Sequence, residues 1–175
     1  MTHDGTRPLR VRRLTDADVS KAASVLVEVH ASDGYPVEGV AQPEEWLRPP
    51  GLIASWVAEL DGDVVGHVAI SRPGGEQAAS MWLKQSGLDP DRVAVLGRLF
   101  VSPAARRRAA GEELMKAAHE YGQAHGVRLV LDVVAKDQAA MRLYERLGWK
   151  RIGRAVHEYG EGQRTDAFCY VSPES

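Results

Sequence analysis

The stretch Val101-Ser-Pro-Ala-Ala-Arg106-Arg107-Arg108-Ala109-Ala110-Gly111-Glu112-Glu113-Leu114 holds the densest chemistry in the chain. An apolar strand pattern ends in a turn of small and basic residues, which opens at once into an amphipathic helix pattern carried by Leu114, Ala117, Ala118 and Tyr121. Arginines are electrostatically misplaced at a helix N-terminus, because the free amides already make that end positive. A bound anion removes the conflict: backbone N–H groups, helix dipole and guanidinium groups together suit a phosphate or diphosphate. Ala109, Ala110 and Gly111 lack the bulk to block close backbone approach. A solvated arginine cluster and a nucleic-acid patch are the competing readings. The latter is weakened because no interleaved aromatics continue the basic run.

A second group lies in Leu131-Asp132-Val133-Val134-Ala135-Lys136-Asp137 and the helix pattern that follows. Asp137 is placed to cap that helix, and Ala140, Leu143, Tyr144 and Leu147 share one of its faces. Read alone, Tyr144 is as easily core packing as a functional residue. His119-Glu120 lacks a second His four residues after the first, so a zinc-protease site is excluded on spacing and no metal is expected. Cys169, between Phe168 and Tyr170, reads as core rather than nucleophile.

Together the two segments resemble the GNAT superfamily of N-acetyltransferases. The family's Arg/Gln-x-x-Gly-x-Gly/Ala pattern falls on Arg106, Arg107, Arg108, Ala109, Ala110 and Gly111, and its Asn-x-x-Ala-x-x-x-Tyr-x-x-x-Gly-Phe pattern on Asp137, Ala140, Tyr144, Gly148 and Trp149. Three departures stand out: Ala109 for the first glycine, Asp137 for Asn and Trp149 for Phe. Alanine at the first position is harmless if helical and costly if it must adopt positive φ.

The resemblance implies an α/β fold, with a mixed, mostly antiparallel sheet of six to seven strands, a splayed parallel pair, and helices on both faces. It implies acetyl-CoA as co-substrate, no metal, and transfer of the acetyl group to an amine by direct attack in a ternary complex. A non-catalytic acyl-CoA-binding module on the same scaffold is the alternative. Backbone groups of Leu99, Phe100 and Val101 would meet the pantetheine and thioester. Arg106 to Glu112, with Asp137 and Tyr144, would complete the cofactor site. Tyr144 is the expected general acid and Asp132 the candidate base, with Glu59, His67 and Glu158 as lesser choices. Tyr35 and Trp46 are the expected acceptor contacts, with Trp82, in the segment from Arg72 to Pro90, either forming another wall of that site or only covering the sheet. The loop from Ala31 to Gly51 carries Asp33, Glu38, Glu44 and Glu45 against Arg48, a composition that suits a cationic amine. A small-molecule or peptide amine is the implied partner, and a homodimer stays open.

These segments need elements to position them. The spacing predicts a strand from Leu9, a helix from about Val19 to His30, and an irregular loop over Ala31–Gly51 with a short helix near Glu44. Trp56–Leu60 and Val64–Ile70 flank Asp61-Gly62, a hairpin turn signal. A short helix near Ala79–Lys84, a strand over Arg92–Val101, a helix over Ala109–His125, a strand over Val127–Val134 and a helix over Asp137–Leu147 follow. A last hairpin joins Ile152–Tyr159 to Ala167–Val171 across Gly160 and Gly162. Residues 1–8 read as a loose tail, 9–172 as one domain and 173–175 as its end.

Composition agrees with one globular domain. The chain has 175 residues, 44% hydrophobic and 26% charged, with 22 basic against 24 acidic side chains and a net charge of −2. That balance argues against a wholly basic nucleic-acid binder. One cysteine allows no internal disulfide and fits a reducing cytosol. No apolar run approaches the ~20 residues needed to cross a bilayer, so neither a membrane nor nucleic acid is an expected partner.

Overall fold

The computed structural model describes residues 8–36, 39–159 and 161–174, with the backbone alone for Arg107 and Arg108. Residues 1–7 of the expected 1–8 tail, and Glu38 and Gly160, lie outside the described residues.

Seven strands form one sheet: β1 (Leu9–Arg13), β2 (Leu52–Leu60), β3 (Asp63–Ser71), β4 (Val93–Val101), β5 (Arg128–Val134), β6 (Lys150–Tyr159) and β7 (Gln163–Val171). Their order is β1-β2-β3-β4-β5-β7-β6. Every neighbouring pair is antiparallel except β4 and β5, which run parallel. Among the described residues five α-helices accompany them: α1 (Val19–Asp33), α2 (Pro43–Trp46), α3 (Gln77–Ser86), α4 (Ala110–His125) and α5 (Gln138–Arg146). The mixed sheet and the parallel central pair are those the resemblance implied.

Side-chain alternation sorts the helices onto two faces. Trp56 and Ala58 of β2 and Leu129 and Leu131 of β5 pack in one core with Leu114, Met115 and Ala118 of α4 and Met141 and Tyr144 of α5. Val57, between those β2 residues, packs with Leu26 and Val29 of α1 on the opposite face. There too Val130 of β5 meets Ala78 and Ala79 of α3. Two apolar layers therefore clamp a sheet that is buried on both sides through its centre.

One irregularity decides the site. β3 and β4 pair Ala69 with Gly97 but His67 with Phe100, so β4 carries an extra residue opposite Val68. Arg98 takes it up at φ 57°. Such a bulge reverses which residues face which side. Before it, Ala94 and Leu96 face α4; after it, Phe100 faces α1, while Leu99 and Val101 pack toward α4.

Some boundaries move. β2 starts at Leu52 rather than Trp56, because Gly51 ends the Pro-rich turn and its C=O accepts from Arg72 N–H at 2.9 Å. β7 starts at Gln163 rather than Ala167, because its first half pairs only with β6 in an exposed ribbon where no apolar pattern is required. Helix α4 starts at Ala110, preceded by a 3₁₀ turn over Pro103–Arg108. No helix among the described residues is long and apolar enough to cross a membrane.

Candidate active site

The parallel pair is short. Val93, Ala94 and Val95 pair with Arg128, Leu129 and Val130, and then the strands part. β5 continues by pairing Val130–Val134 with β7, and β4 by pairing with β3. Between Leu96–Val101 and Leu131–Val134 the sheet opens into a cleft whose walls offer backbone hydrogen-bonding groups, which must find partners.

Which groups face the cleft follows from the pairing on the far side. Ser102 N–H donates to Val65 C=O at 2.7 Å, so Ser102 and Phe100 turn their amides to β3, while Val101 and Leu99 turn theirs to the cleft. Phe100, expected to offer its backbone to the thioester, is thereby removed from that role; its ring stacks on His67 at 5.2 Å instead. The peptide between Arg98 and Leu99 is held from below. His67 Nδ1 lies 2.8 Å from Arg98 C=O. A carbonyl only accepts, so Nδ1 carries the proton. The N–H of a trans peptide points opposite to its C=O, which aims the Leu99 N–H away from the imidazole. Burial holds the His67 pKa down at about 4, so the ring is neutral and is a fixture rather than a base.

At the cleft's end the chain turns through Pro103–Arg108 into α4. The first helical hydrogen bond runs from Glu113 N–H to Ala109 C=O at 3.0 Å, leaving the amides of Ala110, Gly111 and Glu112 without intrahelical partners. Ala109 sits at φ 62°, ψ 21°, the left-handed conformation that glycine adopts without strain. The substitution is therefore of the costly kind. A non-glycine residue in this region costs ~1–2 kcal/mol, partly offset by the greater unfolded-state freedom of glycine. Ala109→Gly is expected to stabilise the protein by about 0.5–1 kcal/mol in urea unfolding. A lower midpoint would contradict this backbone.

Arg106 does not extend freely from the turn. Its Nη2 is ion-paired with Asp33 at the end of α1, and its Nε donates to Val101 C=O at 3.2 Å. It braces the turn; the side chains of Arg107 and Arg108 lie outside the described residues. Glu112 turns its carboxylate to Arg146 at 3.3 Å and Lys116 at 3.4 Å, pairings that lower its pKa.

Tyr144 reaches the same region from α5. It is buried against Trp149 and Tyr170, with ring centroids at 6.2 and 5.8 Å. Burial first, then the electrostatic influence of Tyr35, Asp137 and Tyr170, raises its pKa well above the usual phenol value. Asp137 caps α5, its Oδ1 accepting from Ala140 N–H at 3.1 Å.

Asp132 lies on the opposite sheet face from Tyr144, beside the cleft. Its Oδ1 accepts from Ala78 N–H at 3.0 Å and from Cys169 Sγ at 3.2 Å, so it caps α3 across strands. The surrounding desolvation raises its pKa despite those bonds. Burial, and the neighbouring Asp132 carboxylate, push the Cys169 thiol up to about 12, which leaves it unreactive.

Other expected residues lie elsewhere. Glu59 pairs with Arg12 at 3.1 Å between β1 and β2, and Glu158 with Arg164 at 3.6 Å on the outer ribbon. Trp82, expected either as an acceptor wall or as cover for the sheet, lies 5.0 Å below Arg128 at the start of β5, the paired end of the sheet, and so covers the core there. Tyr35 and Trp46 do meet, edge to face at 6.0 Å, and Trp46 reaches Phe100 at 6.1 Å. They stand beside a groove of about 830 Å³ lined by Val40, Glu44, Glu45, Trp46, Arg48 and Arg98. Arg98 escaped the sequence reading, although Gly97 inside an apolar strand pattern is a bulge signal.

The acetyltransferase (GNAT) family model matches residues 22–149. The mouse N-acetylaspartate synthetase is 30% identical over 113 residues, 64% of this chain and 32% of that protein, so the match spans about a third of this relative's length. The N-alpha-acetyltransferase RimI of Mycobacterium tuberculosis is 26% identical over 153 residues, covering 87% of this chain and 85% of the other. Among solved structures, the ribosomal-protein-alanine N-acetyltransferase of Brucella melitensis superposes with a TM-score of 0.72 at 18% identity, covering 93% of this chain and 98% of that one. Arabidopsis thaliana NAA60 in complex with acetyl-CoA gives 0.71 at 20% identity, with 94% and 97% covered.

Proposed function

The chain belongs to the acetyltransferase (GNAT) family, and on that premise we propose that it transfers the acetyl group of acetyl-CoA to an amine by direct attack within a ternary complex. The observation that carries this reading is the parting of β4 from β5 after Val95 and Val130, with free helix amides at one end and Tyr144 on one side. The diphosphate is assigned to the amides of Ala110–Glu112, and the pantetheine to the cleft-facing backbone of Leu99 and Val101.

In this reading the amine nitrogen attacks the thioester carbonyl from the α1 face. Charge developing on the carbonyl oxygen is met by the Leu99 N–H, which needs no reorganisation because His67 already fixes its peptide. The C–S bond then breaks and the sulfur takes the Tyr144 proton, while the former amine gives up a proton on the other side. A thiolate, with a conjugate acid of pKa ~8.5, is a weaker base than a phenolate, so proton transfer to sulfur is uphill as an isolated step. Tyr144 donates in concert with C–S cleavage, and its phenolate regains a proton from solvent. Asp132 is proposed to accept the amine's proton, directly or through water. A lysine-like amine is neutral about once in 10³ molecules at pH 7, whereas an α-amine near pKa ~8 needs much less assistance.

Thiol release from acetyl-CoA across an amine panel tests this, beside calorimetric titration with CoA. Turnover with at least one amine is expected. CoA binding without turnover on any amine would favour the non-catalytic module. Asp132→Asn is expected to shift or abolish the acidic limb of the pH–rate profile; an unchanged limb removes Asp132 from the mechanism.

A further inference from the structure

The groove beside Trp46 is lined by exposed acidic side chains and by one partly buried cation, Arg98. Glu44 and Glu45 are exposed, and Arg48 is held by Asp16 at 3.3 Å. Arg98 differs from all of these. It rises from the β4 bulge with its guanidinium carbon 4.5 Å from the centroid of the Trp46 ring. Its Nε is buried with no hydrogen-bond partner. Among the described residues no carboxylate lies within ion-pair distance of it. His67, which holds the Arg98 carbonyl and stacks on Phe100, is a neutral imidazole and supplies no countercharge. A partly buried guanidinium that stacks on an aromatic yet makes no ion pair is an incomplete site, because the group's N–H fork is matched to a carboxylate.

Position gives this charge a use. Arg98 immediately precedes Leu99, whose N–H faces the cleft, so the cation and the reacting centre are adjacent on one strand. We infer that Arg98 binds an anionic group of the acceptor, and that the acceptor is a small amine bearing a carboxylate, such as an amino acid, rather than the cationic amine that the loop composition suggested. This inference rests on the acetyltransferase reading and names its substrate class. Trp46 covers one side of the guanidinium and would pack on the acceptor's apolar portion, while Glu44 and Glu45 stay in solvent where they contribute little. Charge on exposed side chains is screened by solvent and salt, whereas a partly desolvated charge is screened much less.

The test compares three acceptor sets on the full chain with acetyl-CoA: the free amino acids, their carboxamides, and the corresponding decarboxylated amines. The best amino acid is expected to exceed its own amide and amine by about 10²-fold in kcat/KM, because a built polar site rejects ligands that leave it unpaired. Arg98→Met is expected to collapse that ratio to within a few-fold, and Arg98→Lys to retain part of it. Equal rates across the three sets in the unmodified protein, or a ratio that survives in Arg98→Met, would overturn the inference. If no amine turns over at all, the acetyltransferase reading fails instead. In that event calorimetry of the same compounds on the CoA-saturated protein still decides the point: carboxylate-dependent binding lost in Arg98→Met upholds the site, and its absence sinks it.

Discussion

Tyr144→Phe is expected to lower kcat by about 10²-fold while changing the affinity for CoA by less than about threefold. General acid catalysis contributes roughly 10²–10⁴-fold, and the lower end applies because the departing thiolate, of pKa ~8.5, is already a tolerable leaving group near neutrality. The ring's packing with Trp149 and Tyr170 is retained in the variant, so the loss belongs to the hydroxyl alone. The direction of the pKa shift adds a second expectation. Burial and the neighbouring Tyr35, Asp137 and Tyr170 hold the phenol protonated beyond its ordinary range. The unmodified enzyme should therefore show no alkaline loss of kcat from this group up to pH ~10. Turnover in Tyr144→Phe equal to that of the unmodified enzyme would remove Tyr144 from the chemistry.

Acidification from pH 7 to 4.5 is expected to cost the fold about 2 kcal/mol through His67 alone. The imidazole titrates near 6.5 when unfolded and at about 4 when folded, because burial opposes its charge. Between those values the unfolded chain binds the extra proton. Stability is therefore full above pH ~6.5 and is lost as pH falls toward 4. Asp18 acts in the same direction but in a lower window. Its carboxyl is held well below the usual range by Arg12, at 2.8 and 2.9 Å, and by Thr15, so its contribution is lost only under more acidic conditions. Urea unfolding at pH 7 and 4.5 separates the two. The unmodified protein should lose stability across the interval, and His67→Gln, although less stable at pH 7, should lose much less. Parallel losses in both would show that His67 is not responsible. The site shares this dependence, since a charged ring would have to place an Nε2 proton where no acceptor stands among the described residues.

Much of the scaffold was legible because its signals are local. The run from Val101 to Leu114 and the run from Leu131 to Trp149 each encode a strand, a turn and a helix within one continuous segment. The parallel pair between them follows from that order. Asp137 capping α5 was equally plain. What escaped depends on contacts between distant segments. The bulge at Arg98 is set by its pairing with β3 and by His67, 31 residues away. Arg106 reads as an anion ligand until α1 brings Asp33 to it across 73 residues. Trp82 has the composition of an acceptor wall, yet α3 packs over the closed end of the β4–β5 pair. The left-handed backbone of Ala109 was anticipated as a question, and only the path from the 3₁₀ turn into α4 answers it.

The central claim is that the gap between β4 and β5 holds a thioester whose diphosphate rests on the start of α4. A crystal structure at saturating acetyl-CoA tests it most directly. The expected result is density threading the gap, with diphosphate oxygens within hydrogen-bond distance of the Ala110–Glu112 amides and the thioester oxygen on the Leu99 N–H. Density lying outside the gap, or a gap left closed at millimolar ligand, would contradict the account.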